Sequence, residues 1–354
     1  DVEVVDTITK ISVTDLPKTY WNLDKQATEE GAAAPEVDQW SRIRNGGLLG
    51  YDSIYMVLDS SLSMMVHFTN EYMAMKQITD ADFRVFMGRD RITSDVHVYD
   101  AHLDSADITC ENGYLNMTEK PLVPMANMAE VIRTNGKTNI YSHILDRFSV
   151  PFQNKTVGRL FSRLHPELFA ETDTLYTKRY YSKRTYGSTE SSDVALTNDE
   201  RGVLSNNTGE ATLKFDPGWN GYFPIGSTPE EDMGAMFVPN DEQMLWYFNE
   251  GGGRTLIEEF TKDPAASYSI NDLETLFMDI DQIPLKIIQS IINQGMFISF
   301  VETVPSKMLK QREAVTLEQI FEEADTKLAS QGGRIDTVLM ACNGAAYIMN
   351  NVFA

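Results

Sequence analysis

The run Tyr176-Thr-Lys-Arg-Tyr-Tyr-Ser-Lys-Arg-Thr-Tyr186 sets flat aromatic faces beside cationic donors, inside a chain that is otherwise strongly acidic. Such faces stack on sugars or grip an extended peptide, and tyrosine does so at low entropic cost. Tyr176, Tyr180, Tyr181, Arg184 and Tyr186 are therefore candidate ligand-binding residues. Trp219 and Tyr222, in Pro217-Gly-Trp-Asn-Gly-Tyr-Phe-Pro224, join them as part of the same stretch. The competing reading is a solvated hairpin whose Lys and Arg balance acids of its own protein.

Other residues with chemical potential fall short of a site. The histidines His67, His97, His102, His143 and His165 show neither HxH nor HExxH spacing, so no metal centre is expected. Asp279-Ile-Asp281 offers two carboxylates but no calcium-loop pattern around them. Gly251-Gly-Gly-Arg-Thr255 lacks the Gly-Lys-Ser/Thr of a phosphate loop. No GxSxG elbow occurs, and no Cys has a defensible His and Asn partner. Neither catalytic residues nor a cofactor are expected. Paired carboxylates for glycoside hydrolysis need no local motif, so a hydrolase acting on surface polysaccharide remains the alternative.

Bulk composition bounds the remaining classes. The chain has 354 residues, 42% of them hydrophobic, enough for two domains with real cores. A net charge of −22 opposes nucleic-acid binding and docking of the protein body on an anionic membrane. No apolar run has the length of a membrane span. Cys110 and Cys342 are too few for a disulfide framework, and both are expected to be reduced and buried on apolar strands.

The elements that would position these residues come from an internal repeat. Residues 106–124 and 336–354 each read as strand, Asn-Gly turn, strand, with Asn112-Gly113 and Asn343-Gly344 suited to a type I′ hairpin. Upstream, Met64 to Met73 parallels Met296 to Pro305, giving a unit of about 230 residues. Ile283 to Ile292 shows helical periodicity, with Pro284 in its first turn. Met125 to Phe148 is also helical, interrupted at Asn135-Gly136. Around His97 and His102 the alternation predicts a half-exposed strand. Residues 152–232 read as loops and hairpins inserted into the second unit, adding little to its core.

Ala235-Met-Phe-Val-Pro-Asn-Asp-Glu-Gln-Met244 resembles the first signature box of fasciclin domains: a short buried strand, a proline that ends it, and an Asn or Asp cap opening a helix. The Asn-Gly hairpins resemble the closing segment of the same domain, and Lys120-Pro-Leu-Val-Pro124 matches its ending. The resemblance implies an α+β fold with small twisted sheet wedges and packed helices. It divides the chain into 1–124, the second half of one fasciclin-like domain, and 125–354, a second domain carrying the insertion. The first copy lacks its strand-turn-helix box, which the repeat spacing puts at or before residue 1, so the chain is expected to be a piece of a longer protein. Where adhesive members often carry Tyr-His, this chain has Val66-His67 and Ile298-Ser299, which argues against integrin-type recognition through that pair. The overall style is similar to the fasciclin-containing surface lipoproteins of Bacteroidota. That similarity implies a non-enzymatic binding or adhesion module outside the cytoplasm, held at the cell surface or outer membrane by a lipid anchor beyond this chain. Its implied partners are other surface proteins, among them a TonB-dependent transporter complex, and a glycan or peptide ligand.

Overall fold

The computed structural model describes residues 67–92, 96–98, 101–122, 125–153, 213–218 and 231–352, together with short pieces at 7–9, 20–22, 54–56, 62–64, 159, 162–163, 166, 175–180, 182, 194–195 and 223–224. It is a mixed α+β structure.

The first stretch begins with short strands β1 (Thr7–Thr9), β2 (Tyr20–Asn22), β3 (Ile54–Met56) and β4 (Leu62–Met64). Strand β5 (His67–Phe68) leads into helices α1 (Asn70–Lys76) and α2 (Asp80–Met87). Thr69 and Thr79 stand at their N-caps, and Thr79 forms a reciprocal capping box with Asp82. Next come β6 (His97–Val98), β7 (Ala101–Cys110) and β8 (Gly113–Thr118), and the sheet order is β5-β6-β7-β8. The strand expected around His97 and His102 is thus two strands facing each other, with His97 opposite His102.

The helical segment after it divides where Asn135-Gly136 predicts. Helix α3 (Met128–Thr134) ends there, Gly136 takes φ +76°, and α4 (Asn139–Asp146) follows. Strand β9 (Ser149–Gln153) pairs antiparallel with β10 (Leu175–Tyr180) and β11 (Val194–Ala195), while β10 runs parallel to β3. Residues of the insertion therefore share a sheet with the first stretch. The short strands β12 (Phe223–Pro224) and β13 (Glu231–Asp232) form a ladder of their own.

The last stretch holds the central sheet. Strand β14 (Gly234–Pro239) is followed by α5 (Asp241–Asn249), and Asn240 Oδ1 accepts from the Gln243 amide at 3.0 Å, as the strand-proline-cap pattern predicts. Helices α6 (Gly252–Phe260), α7 (Leu273–Ile280) and α8 (Leu285–Gln294) come next. Strand β15 (Met296–Phe297), the single-turn helix α9 (Pro305–Met308) and the hairpin β16 (Ile335–Ala341) and β17 (Gly344–Met349) complete it. The sheet order is β15-β14-β17-β16, with β14 and β17 parallel and the outer pairs antiparallel.

Both faces of this sheet are covered, so its central strands read as unbroken apolar runs and not as an alternation. Met236, Val238, Ala346 and Ile348 point to one side, against Ile132 and Ile144 of the opening helices and Ile257, Leu276 and Ile288 of α6 to α8. Phe237, Ala345 and Tyr347 point to the other, against Phe68, Phe83, Phe86 and Val98. The first stretch thus forms one wall of the second stretch's core. Two polar links fasten that wall. The Asp82 carboxylate accepts from the amide and hydroxyl of Ser306 at 2.7 and 2.8 Å. Lys307 Nζ donates to the Lys76 carbonyl at the end of α1, at 2.6 Å.

Several expectations need correction. The insertion does enter the core: Leu213 and Phe215 are fully buried, and the Pro217 carbonyl accepts from the Ala129 amide and from Asn343 Nδ2. The turn residues of the two hairpins are Glu111-Asn112 and Cys342-Asn343, without positive φ on either asparagine, so the turns are not type I′. The glycines instead open the second strand, at φ +155° for Gly113 and +150° for Gly344. Counted from those glycines, Cys110 matches Ala341 and not Cys342. The offset does not account for their exposure, because Ala341 is as buried as Cys342 while Cys110 is exposed; the difference comes from the surroundings of the two hairpins, and the two cysteines are not joined by a disulfide.

The surroundings of the two hairpins also differ. A Cβ on Gly344 would lie 2.1 Å from the Gly234 carbonyl oxygen, whereas one on Gly113 would meet nothing within 4 Å. Gly344 answers both a backbone requirement and a close approach of β14, and Gly113 only the first. Gly344→Ala should therefore cost about 3 kcal/mol or more, and Gly113→Ala about 1 kcal/mol. Urea denaturation of the two variants measures this, and equal losses would contradict the packing described.

Candidate interaction site

Strand β8 should look like β17, its repeat counterpart, yet the two sit in opposite environments. All six residues of β17 are buried, while five of the six in β8 are exposed. Tyr114 is 71% exposed, Leu115 51%, Met117 50% and Ile108 39%. Beyond Leu103 the β7–β8 hairpin is an arm whose apolar side chains face solvent on both sides, since adjacent strand residues such as Tyr114 and Leu115 point oppositely.

The arm's shape is fixed by a bulge. The register shifts between Ser105 and Ile108, and Asp107 there adopts φ +56°, a conformation non-glycine residues seldom take. Its amide donates to Asn116 Oδ1 across the hairpin at 2.8 Å. The bulge is thus held by a specific bond and not by chance packing.

Polar groups lock the base of the arm. Arg89 Nη1 lies 2.6 Å from Glu119 Oε1, and His102 Nδ1 lies 2.7 Å from Glu119 Oε2. His102 Nε2 contacts Asp104 at 3.0 Å. The bonds from Arg89 and then His102 hold the Glu119 carboxyl down at about 2. Behind this cluster His97 is fully buried, edge-on to Phe83 with ring centres 5.0 Å apart. Its Nε2 accepts from the Ile92 amide at 3.3 Å, and its Nδ1 has no partner among the described residues. Burial first, then Arg89, His102 and Arg91, push the His97 pKa below the ordinary 6.5. His97 is a neutral structural ring.

The aromatic run meets this structure only in part. Tyr180, expected to face a ligand, faces the core instead: it is 2% exposed, its hydroxyl donates to Asp146 at 2.9 Å, and its ring lies against Gly218. The core claims it because β10 is tied to β9 on one side and β3 on the other. Of Tyr176 only the backbone within β10 is described. Tyr181, Arg184, Tyr186, Trp219 and Tyr222 lie outside the described residues.

The acids and glycines weighed in the sequence have structural employment. Asp279 accepts from the Tyr268 hydroxyl at 2.6 Å, and Asp281 pairs with His143 at 2.9 Å. Gly253 lies against Tyr247 and Phe248, where a Cβ would come within 2.6 Å of either ring. Among the described residues no three His, Cys, Asp or Glu side chains form a group able to hold a metal. An open groove of about 350 Å³ between α5, α6 and α8 is lined by Tyr247, Leu256, Ile287, Ile291 and Lys286 and contains no carboxylate. Among the described residues no helix is long and apolar enough to cross a membrane.

The sequence did carry a signal for the arm. Tyr114-Leu115 followed by Met117 puts apolar groups on both faces of a strand, a pattern that calls for cover on both faces, and all three side chains are at least half exposed.

Two measurements test these assignments. The unfolded chain protonates His97 near pH 6.5, before the folded protein does. Stability is complete above that pH and falls as the pH drops toward the lower folded value. Urea titrations at pH 8 and pH 5 should show a smaller pH-dependent loss in His97→Phe than in the wild type; an unchanged loss would refute the assignment. Tyr180→Ala should cost about 3 kcal/mol, and a neutral outcome would return that ring to the surface.

Comparison with known proteins finds no family model, no curated protein and no solved structure that matches this chain.

Proposed function

We propose that the protein is a non-enzymatic binding or adhesion module of fasciclin-like architecture. It works outside the cytoplasm at a cell surface, as an accessory lipoprotein of an outer-membrane nutrient-uptake complex. The observation that carries the binding reading is the arm: Ile108, Tyr114, Leu115 and Met117 form an ordered apolar surface on a braced hairpin. Water-facing apolar groups of this size on a fixed scaffold are the usual mark of an interaction site. The fasciclin-like part of the reading draws on the Ala235 to Met244 box and on the β14-cap-α5 geometry that matches it. The cell-surface part draws on the sequence resemblance alone.

The hydrolase alternative calls for two carboxyls facing each other across a cleft. The groove between α5, α6 and α8 is lined by apolar side chains with Lys286, Ser290 and Gln294 and no carboxylate, which favours binding over hydrolysis as its use.

The test uses the whole chain on an array of polysaccharides and peptides, with a reducing-end assay run beside it. Saturable binding without release of reducing ends is expected. Tyr114→Ser/Leu115→Ser/Met117→Ser should weaken that binding at least about tenfold and leave stability within about 0.5 kcal/mol, as for exposed positions generally. Release of reducing ends, or full binding by the triple variant, would overturn the reading.

A further inference from the structure

The arm has a template for its partner within the same chain. In the second unit the strand after the hairpin glycine, β17, is joined along its whole length by the parallel strand β14, from Gly234 opposite Gly344 to Pro239 opposite Met349. In the first unit β8 ends its sheet, and among the described residues no strand pairs along its outer edge. The two glycines nevertheless share their backbone setting, with φ within 5°, +155° against +150°. Where the Gly234 carbonyl crowds Gly344, the equivalent space beside Gly113 is open. An edge of this kind presents unpaired backbone donors and acceptors, and an added strand satisfies them while covering the apolar side chains next to it.

Charge narrows the occupant. From Ala101 to Glu119 the hairpin carries Asp104, Asp107, Glu111 and Glu119 and no Lys or Arg. Glu119 is engaged by Arg89 and Asp104 by His102, so Asp107 and Glu111 near the tip set the sign that an incoming chain meets.

We propose that the outer edge of β8 binds a β-strand of another polypeptide, in parallel. That strand is short and apolar, with a small residue opposite Gly113 and a lysine or arginine beside the apolar stretch. The proposal deepens the binding reading above and rests on it. It makes main-chain pairing the source of affinity, and the exposed Tyr114, Leu115 and Met117 the source of selectivity.

The test takes its probe from the template: a synthetic peptide of residues 233–240 with two lysines and a nitroxide appended at its N-terminus. It is titrated into the isotope-labelled full chain while the amides of β8 are followed by NMR. Saturable one-to-one binding is expected, with paramagnetic broadening strongest at Gly113, because a parallel strand places the peptide's N-terminus there. Tyr114→Lys/Met117→Lys should reduce affinity at least about tenfold, since inward charges block strand addition. Asp107→Asn/Glu111→Gln, a milder change, should reduce it about threefold at low salt.

No binding, equal binding of a scrambled peptide, broadening centred on Thr118 or away from β8, or undiminished affinity in either variant would overturn the proposal. If the serine variant loses its array ligand while this peptide fails to bind, the binding reading stands and strand addition falls. If neither probe depends on the arm, both fall.

Discussion

The parallel contact between β14 and β17 is the constraint on which the rest of the structure depends. It brings the Gly234 carbonyl against Gly344, which excludes any side chain at that point. With β14 and β17 fixed side by side, alternate residues must go to opposite faces, and each face needs its own cover. The opening helices and α6 to α8 supply one cover, and α1, α2 and the β5–β6 strands supply the other. Phe237 of β14 stacks on Tyr347 of β17 at 4.6 Å between ring centres, and the pair forms the sheet's side of the contact with the second cover. The Asp82 and Lys307 bonds then settle how the covering helices lie.

That arrangement gives the two repeated hairpins different physical lives. One is the interior of a sheet, and its side chains are small or aromatic as the two cores demand. The other leaves the shared core after Leu103 and keeps its apolar groups in water. A bulge at Asp107 and the Glu119 cluster hold it in one shape. The brace keeps Ile108, Tyr114, Leu115 and Met117 facing water from a fixed backbone.

Much of the core was legible in the residues. Met236 to Val238, Pro239 and Asn240 spelled strand, stop and cap because those signals are local. The break at Asn135-Gly136 was readable for the same reason. Contacts made across long separations were not. Nothing near Tyr180 in the sequence says that Gly218 will lie on its ring, and nothing near Phe215 says that it will enter a core built around β14. The arm was half-legible: the repeat located the hairpin, but its exposure depends on which strand stands beside β8. The cysteines show the same limit at finer scale: Cys110 and Ala341 hold the same place in their hairpins, yet one is exposed and the other buried.

The bonds between Asp82 and Ser306 also order events in time. Their two residues are 224 positions apart. A ribosome adding roughly 5–20 residues per second needs roughly ten to forty-five seconds to pass from one to the other. Throughout that interval Phe68, Phe83 and Phe86 exist without Phe300 and Tyr347, the groups that will cover them. The nascent first stretch therefore carries three uncovered phenylalanine rings for as long as the rest of the chain is being made.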